Sequence, residues 1–372
     1  MILEDVHAEY SLPNFRRSTV DGYAVRAEDT FGASDSMPAY IKLIGEVVMG
    51  TKAEKILGEN ESVVIHTGGM LPEGADAVVM VEYTQQSLEN EIEVMKAVGV
   101  GENVIQIGED VAEGDLVIRS GTRMRPAEIG GLMALGKTEI SAAEKPLVGI
   151  ISSGDEVIRP EEEILPGQVR DINSYSLKTL VEEVGGKPKL YGIIEDTMET
   201  MISKVSKAIE ECDLVIITAG SSASKRDLTA RVINHIGEPG VLVHGVNVKP
   251  GKPTILSLVG DTPVIGLPGN PVSALVIAGL FVVPVIKKLL GLENDRQKPR
   301  IHAVLGVNIA SSSGREEWVP VKLIQDNGGL VAEPIFGKSN LIFTLVKAEG
   351  LVRIEPDSNG ILAGEQVEIW LM

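Results

Sequence analysis

The chain has little base for its acid, one cysteine, no long apolar run and no ordered histidine pattern, and each shortage removes a class of function. Lys and Arg number 34 against 53 Asp and Glu, a formal net charge of −19 over 372 residues. A surface built to hold nucleic acid or an anionic membrane rewards a basic face, so neither partner is expected. Any anionic ligand must then be held by a local cluster of cations. The lone Cys212 excludes an internal disulfide and a thiolate metal cluster, fits a reducing compartment, and reads as a small residue near a helix end. The longest apolar run, Pro271 to Ile286, contains Pro284 and is shorter than the roughly 20 residues that a membrane-crossing helix needs, so it reads as a buried helix. The opening "MILEDVHAEY" has neither a basic start nor an apolar stretch, and no signal peptide is expected. Those features together predict a soluble, cytoplasmic protein. His7, His66, His235, His244 and His302 lack H-x-x-x-H or H-E-x-x-H spacing, which argues against a histidine zinc site. No G-x-G-x-x-G follows a strand. "GLMALGKT" spells a P-loop from Gly131 to Thr138, but its middle is apolar and helix-forming with no strand before it, and Gly136 reads as a helix stop.

What is present divides the chain into unlike regions, and the length suggests two to four domains. "YIKLIG", "SVVIHTGG" and "ADAVVMVEY" alternate with glycine and proline turns and predict a compact β region over 19–104. Turn-rich segments at 1–18 and 105–144 flank it and form a separate linker or dimerisation domain, with one helix after Pro126. Over 145–297 strands such as "PLVGIISSG", "KLYGII" and "DLVIITAGSS" alternate with the amphipathic helices "NSYSLKTLVEEVGG" and "TMETMISKVSKAIEE". That alternation predicts a doubly wound parallel sheet with helices on both faces. Residues 298–372 are strand-like again, a small all-β domain. The fold class is thus multidomain α/β, with β-rich domains on either side of the doubly wound one.

Ligands of open parallel sheets collect at the C-terminal strand ends. Three loops fall there, "ISSGDEVI", "TAGSSASKRD" and "GLPGNPVSA", and are expected to line one pocket. In the last, Asn270 is placed to cap a helix and Pro271 to open it, presenting free N–H groups to an anion. In "VKPGKPT", prolines on both sides of Gly251 restrict Lys249 and Lys252, and two neighbouring ammonium groups need something negative between them, for which phosphate is the natural guess. Asp155, Glu156, Glu195, Asp196 and, at the start of the next helix, Asp227 supply carboxylates on the same sheet edge, hard oxygen donors suited to Mg²⁺.

"STVDGYAVR", "HTGGMLPEGADAVVMVE", "GENVIQIGEDVAEGD", "IISSGDEV", "RDINSYSL", "VKPGKPT" and "GLPGNPVSA" occur in the order found in the molybdopterin molybdotransferase family, which includes bacterial MoeA and the gephyrin E domain, and the chain resembles that family over nearly its whole length. The resemblance implies a cytoplasmic homodimer of four-domain subunits. It also implies insertion of molybdenum from molybdate into adenylylated molybdopterin, with release of AMP in a Mg²⁺-dependent step. Carried over by motif, Asp21, Thr67, Asp110 and Asp227 are the expected catalytic residues, the first three facing the sheet domain of the partner subunit. Glu156, Asp196 and Asp227 are the expected metal ligands. Ser221, Ser222, Lys249, Lys252, Pro268, Asn270 and Ser273 are the expected substrate-binding residues. The chain departs from the family's pattern where "AGSSASKRD" replaces a Gly-Gly-Val-Ser type loop, and its first domain looks shortened. A pterin- or nucleotide-binding paralogue without insertion activity, or a scaffold, is the alternative.

Overall fold

A computed structural model describes residues 1–219, 223–292, 300–326 and 328–372, and of residues 223–226 the backbone alone. The chain forms two compact units, one of residues 2–120 and 124–141, the other of Met1, 121–123 and 142–372.

The first unit is built on six strands: β1 (Gly22–Val25), β2 (Ala39–Glu46), β3 (Glu61–Ile65), β4 (Ala77–Met80), β5 (Thr84–Leu88) and β6 (Glu91–Val94). They pair in the order β4-β1-β3-β2-β6-β5. Alternate residues feed opposite faces, as the pleat requires. Val78 packs with Ala24, Val63 and Ile65 on one side, while Ala77 and Val79 pack with Val25, Ile41 and Ile92 on the other. Helix α1 (Pro126–Ala134) opens on Pro126, as proline at the first helical position allows, and ends before Gly136 at φ 67°. Its Leu132 joins a small core with Ile2, Val6 and Ile118.

In the second unit, β7 (Leu147–Ser153), α2 (Asn173–Val184), β8 (Lys187–Ile194), α3 (Met198–Glu211), β9 (Leu214–Ala219), α4 (Ala223–Ile236), β10 (Pro239–His244), β11 (Ile255–Val259) and β12 (Thr262–Pro268) form a sheet ordered β8-β7-β9-β12-β11-β10. Four strands, β8, β7, β9 and β12, are parallel. Strand β11 breaks the all-parallel expectation and runs antiparallel to both β12 and β10, because β11 and β12 are joined only by Gly260 and Asp261 between the Val259↔Thr262 pair, and so short a link makes an antiparallel hairpin. Leu214 and Ile216 pack against α2 and the helix after β12, while Val215 and Ile217 pack against α3 and α4, so both faces are covered. That following helix runs as α5 (Pro271–Ile277), a π turn (Ala278–Val282) and α6 (Val283–Leu289). It is long and apolar enough to cross a membrane. Here its buried Val272, Val276, Ile277, Val282 and Ile286 lie in the sheet's core.

Five strands, β13 (Arg300–Leu305), β14 (Glu316–Asp326), β15 (Gly329–Pro334), β16 (Gly350–Ile354) and β17 (Gln366–Leu371), close on themselves through the β14–β16 pairing. Closure removes exposed edges, and Leu305, Val319, Val321, Val352 and Ile369 fill the barrel. A two-residue strand, Val248–Lys249, adds in parallel to β14.

Candidate active site

The parallel register aligns the C-terminal ends of four strands, with Ser153 opposite Ile194, Ser152 opposite Thr218 and Thr218 opposite Leu267. Ser152, Ser153 and Thr218 are buried there. The Ser153 hydroxyl donates to Oδ1 of Asp196, tying the carboxylate that follows β8 to the end of β7. Glu156, in the loop after β7, is anchored through its carbonyl, which accepts the Val169 N–H at 2.8 Å. Asn173, at the start of α2, donates from Nδ2 to the Gly269 carbonyl at 2.8 Å and so fastens that helix to the loop after β12.

Asp227 does not open its helix. The helix reaches back to Ala223, because alanine, lysine and arginine favour it, and Asp227 sits exposed in the second turn. Ser221 and Ser222 lie outside the described residues. Among the described residues no three His, Cys, Asp or Glu side chains gather into a group that could hold a metal, so Glu156, Asp196 and Asp227 do not converge into a three-carboxylate site. What Asp196 and Glu156 offer is hard oxygen chemistry after neighbouring parallel strands.

A cavity lies beside the loop after β12. About 630 Å³ opens between the lysine turn, the loop after β12 and the closed barrel. Among the described residues, only the loop carrying Pro268, Asn270 and Ser273 lines it, of the three, joined by Lys249, Lys252 and, from the barrel side, Arg315, Glu317, Lys338 and Ser339. Four cations face one carboxylate in an otherwise acidic chain.

The lysine turn is rigid for reasons visible locally. Thr254 Oγ1 donates to the Gly251 carbonyl at 2.7 Å. Gly251 sits at φ 133°, where a Cβ would lie 2.3 Å from Ile277 Cγ1, so only glycine lets the turn rest on α5. Lys249 does not wait for an external anion alone, because the chain supplies one: its Nζ is 2.7 Å from Glu317 Oε1, and the other oxygen of Glu317 accepts the Ser311 hydroxyl at 2.7 Å. Lys252 is exposed and makes no ion pair among the described residues.

Asn270 occupies the cap position of α5 without capping it. Its Nδ2 donates to Ser339 Oγ at 2.9 Å, and the Val272 N–H, expected to be free for an anion, donates to the Ser339 carbonyl at 3.1 Å. The barrel thus takes up part of the helix start, and Ser273, buried, remains on the cavity wall. Sequence reasoning missed Arg315, Glu317, Lys338 and Ser339 because they come from a distant barrel. The Val248–Lys249 pairing with β14, which joins them to the lysine turn, has no local signature.

In the N-terminal unit Asp21 and Thr67 do meet. Asp21 Oδ1 accepts the Thr67 N–H at 2.8 Å and its hydroxyl at 3.2 Å. The Thr67 amide holds the Asp21 carboxyl below the usual range, with smaller help from the Thr67 hydroxyl and His66 against partial desolvation. Asp110 is exposed, its N–H donating to Leu12 at 3.1 Å, and it takes no part in that network. Cys212 caps the end of α3 as a buried thiol whose pKa burial pushes up, the opposite of a reactive cysteine.

Comparison with known proteins agrees with this architecture. The MoeA N-terminal region (domain I and II) matches residues 1–136, a probable molybdopterin binding domain matches 149–288, and the MoeA C-terminal region (domain IV) matches 302–372. The molybdopterin molybdenumtransferase of Bacillus subtilis is 32% identical over 375 residues, covering 100% of this chain and 87% of that one. The chain belongs to the MoeA family. A Methanocaldococcus jannaschii protein ascribed to molybdopterin biosynthesis is 36% identical, with 99% of this chain and 88% of that protein covered. The crystal structure of a molybdopterin biosynthesis MoeA protein from Pyrococcus horikoshii OT3 superposes with a TM-score of 0.85 at 34% identity, over 100% of this chain and 91% of that one.

Proposed function

We propose that this chain is a molybdopterin molybdenumtransferase of molybdenum cofactor biosynthesis, inserting molybdenum from molybdate into adenylylated molybdopterin and releasing AMP in the cytoplasm. The observation that carries the reading is the cavity where Lys249, Lys252, Arg315 and Lys338 oppose one carboxylate, in a chain of net charge −19 that belongs to the MoeA family. Such a reaction brings two anions, a phosphate-bearing pterin and an oxyanion, into one place, and fixed positive charge is what offsets their repulsion. Lys249 and Lys252 bind the anions. Pro268, Asn270 and Ser273 shape the wall they rest on, and Ser221 and Ser222 bind the substrate through their hydroxyls.

Mg²⁺ is bound by few carboxylates and completes its shell with water and phosphate oxygens, which fits Asp196 and Glu156 following adjacent strands. When bound, the ion screens charge between the phosphate groups. Asp227 orients the reacting groups. Asp21, Thr67 and Asp110 complete the site across a homodimer.

Purified protein with adenylylated molybdopterin, Mg²⁺ and molybdate should release AMP and form cofactor. Asp227→Asn should leave binding of the adenylylated pterin near normal and lower turnover by about two orders of magnitude or more. Tight binding without turnover in the wild type would replace the transferase by a binding paralogue, and equal turnover in wild type and variant would remove Asp227 from the mechanism.

A further inference from the structure

The N-terminal sheet gathers four polar residues at one edge through its register. Strands β1 and β3 are antiparallel with Gly22 opposite Ile65, while β2 and β3 are parallel with Glu46 opposite Val64. The start of β1 therefore adjoins the ends of β2 and β3, which brings Asp21, Glu46 and the His66-Thr67 pair together. His66 Nε2 lies 3.0 Å from Glu46 Oε1, and its Nδ1 lies 3.7 Å from Asp21 Oδ1. Thr67 donates twice to that same Oδ1. No hydrogen bond or ion pair engages Asp21 Oδ2 among the described residues.

The imidazole is hydrogen-bonded to Glu46 on one side and lies at ion-pair distance from Asp21 on the other. Glu46 fixes the ring, and its second nitrogen faces Asp21 Oδ1. We infer that His66, braced by Glu46, is a positioning residue that fixes the Asp21 carboxylate through Oδ1 and leaves Oδ2 as its working oxygen. The inference rests on the reading that Asp21 acts in the transfer, and it adds two residues to it. With His66 removed, Thr67 alone would hold Oδ1, and the carboxylate would rotate more freely about its last bond.

The test compares His66→Leu, which removes both ring donors, with His66→Gln, which keeps an amide donor. Steady-state rates with adenylylated molybdopterin are one readout, and the Thr67 amide resonance in the perdeuterated, intact protein is another that needs no activity. His66→Leu should lower kcat by about ten- to a hundredfold, the penalty of a misoriented group, with KM within about twofold. The Thr67 resonance should move in the same variant, and His66→Gln should restore both. Unchanged kcat with an unmoved resonance would overturn the inference, as would equal losses in both variants. A wild type without transferase activity would overturn the preceding reading and leave the resonance to decide: movement in His66→Leu reversed in His66→Gln supports the brace, and an unmoved resonance overturns it.

Discussion

Lys249 and Lys252 share one turn and differ in what their removal should do. Glu317 is largely buried, with a side-chain exposure of 12%, so Lys249→Ala leaves its carboxylate facing the cavity with only the Ser311 hydroxyl. Such a loss typically costs about 1–3 kcal/mol. Lys252 is exposed and should contribute little to stability. We therefore expect both alanine variants to weaken pyrophosphate binding and its salt sensitivity in titration calorimetry, while only Lys249→Ala lowers the melting temperature. Glu317→Gln in the Lys249→Ala background should recover stability without recovering binding. Unaltered binding in both alanine variants would make the lysines ordinary solvated residues. An unaltered melting temperature in Lys249→Ala would mean that water screens the pair.

Elements carry their own instructions at their ends. Thr197 caps α3, its hydroxyl accepting the Thr200 N–H at 3.3 Å, and Gly185 stops α2 at φ 105°. At α1 the Glu128 carboxylate accepts the Arg125 N–H at 3.0 Å and pairs with its guanidinium, which pulls the Glu128 pKa down to about 2. A depressed acid stabilises the fold where it is ionised, so that contribution is complete above the ordinary glutamate pKa of about 4.3 and disappears as pH falls through about 2. The melting temperature of Glu128→Gln should thus lie below that of the wild type at pH 7. The gap should narrow between those two pH values. A gap that persists under strong acid would assign the effect to packing instead.

At the scale of the molecule, the two compact units have separate cores. Asp21, Thr67 and Asp110 belong to one and the lysine turn to the other. The proposed homodimer makes a direct prediction from that division. Asp21→Ala and Lys249→Ala proteins, each inactive alone, should regain up to about a quarter of wild-type activity after subunit exchange, since a statistical mixture pairs intact halves in that proportion when sites are shared. Sedimentation at micromolar concentration should show a dimer. A fully active monomer would remove the shared-site arrangement.

Strand and helix identity in the doubly wound region came from the chain alone, because "LVIITA" is buried on both faces and "TMETMISKVSKAIEE" repeats its apolar positions at the helical period. Buried Met201, Val205 and Ala208 lie on one side of α3. Glycine stops at Gly136 and Gly185 were equally local, since only a left-handed residue ends a helix that way without strain. The lysine turn and the Asp21 and Thr67 blocks were legible as motifs. Other outcomes depended on residues far apart. The Asn270 side chain turns from its helix to Ser339, and Lys249 finds Glu317, because a barrel closed more than sixty residues later delivers both partners to the cavity. His66 gains meaning only when β2 and β3 run side by side. Local sequence determined backbone conformation, through propensity and periodicity. The tertiary fold decided which charges meet, because an ion pair depends on the distance between side chains and not on their spacing along the chain.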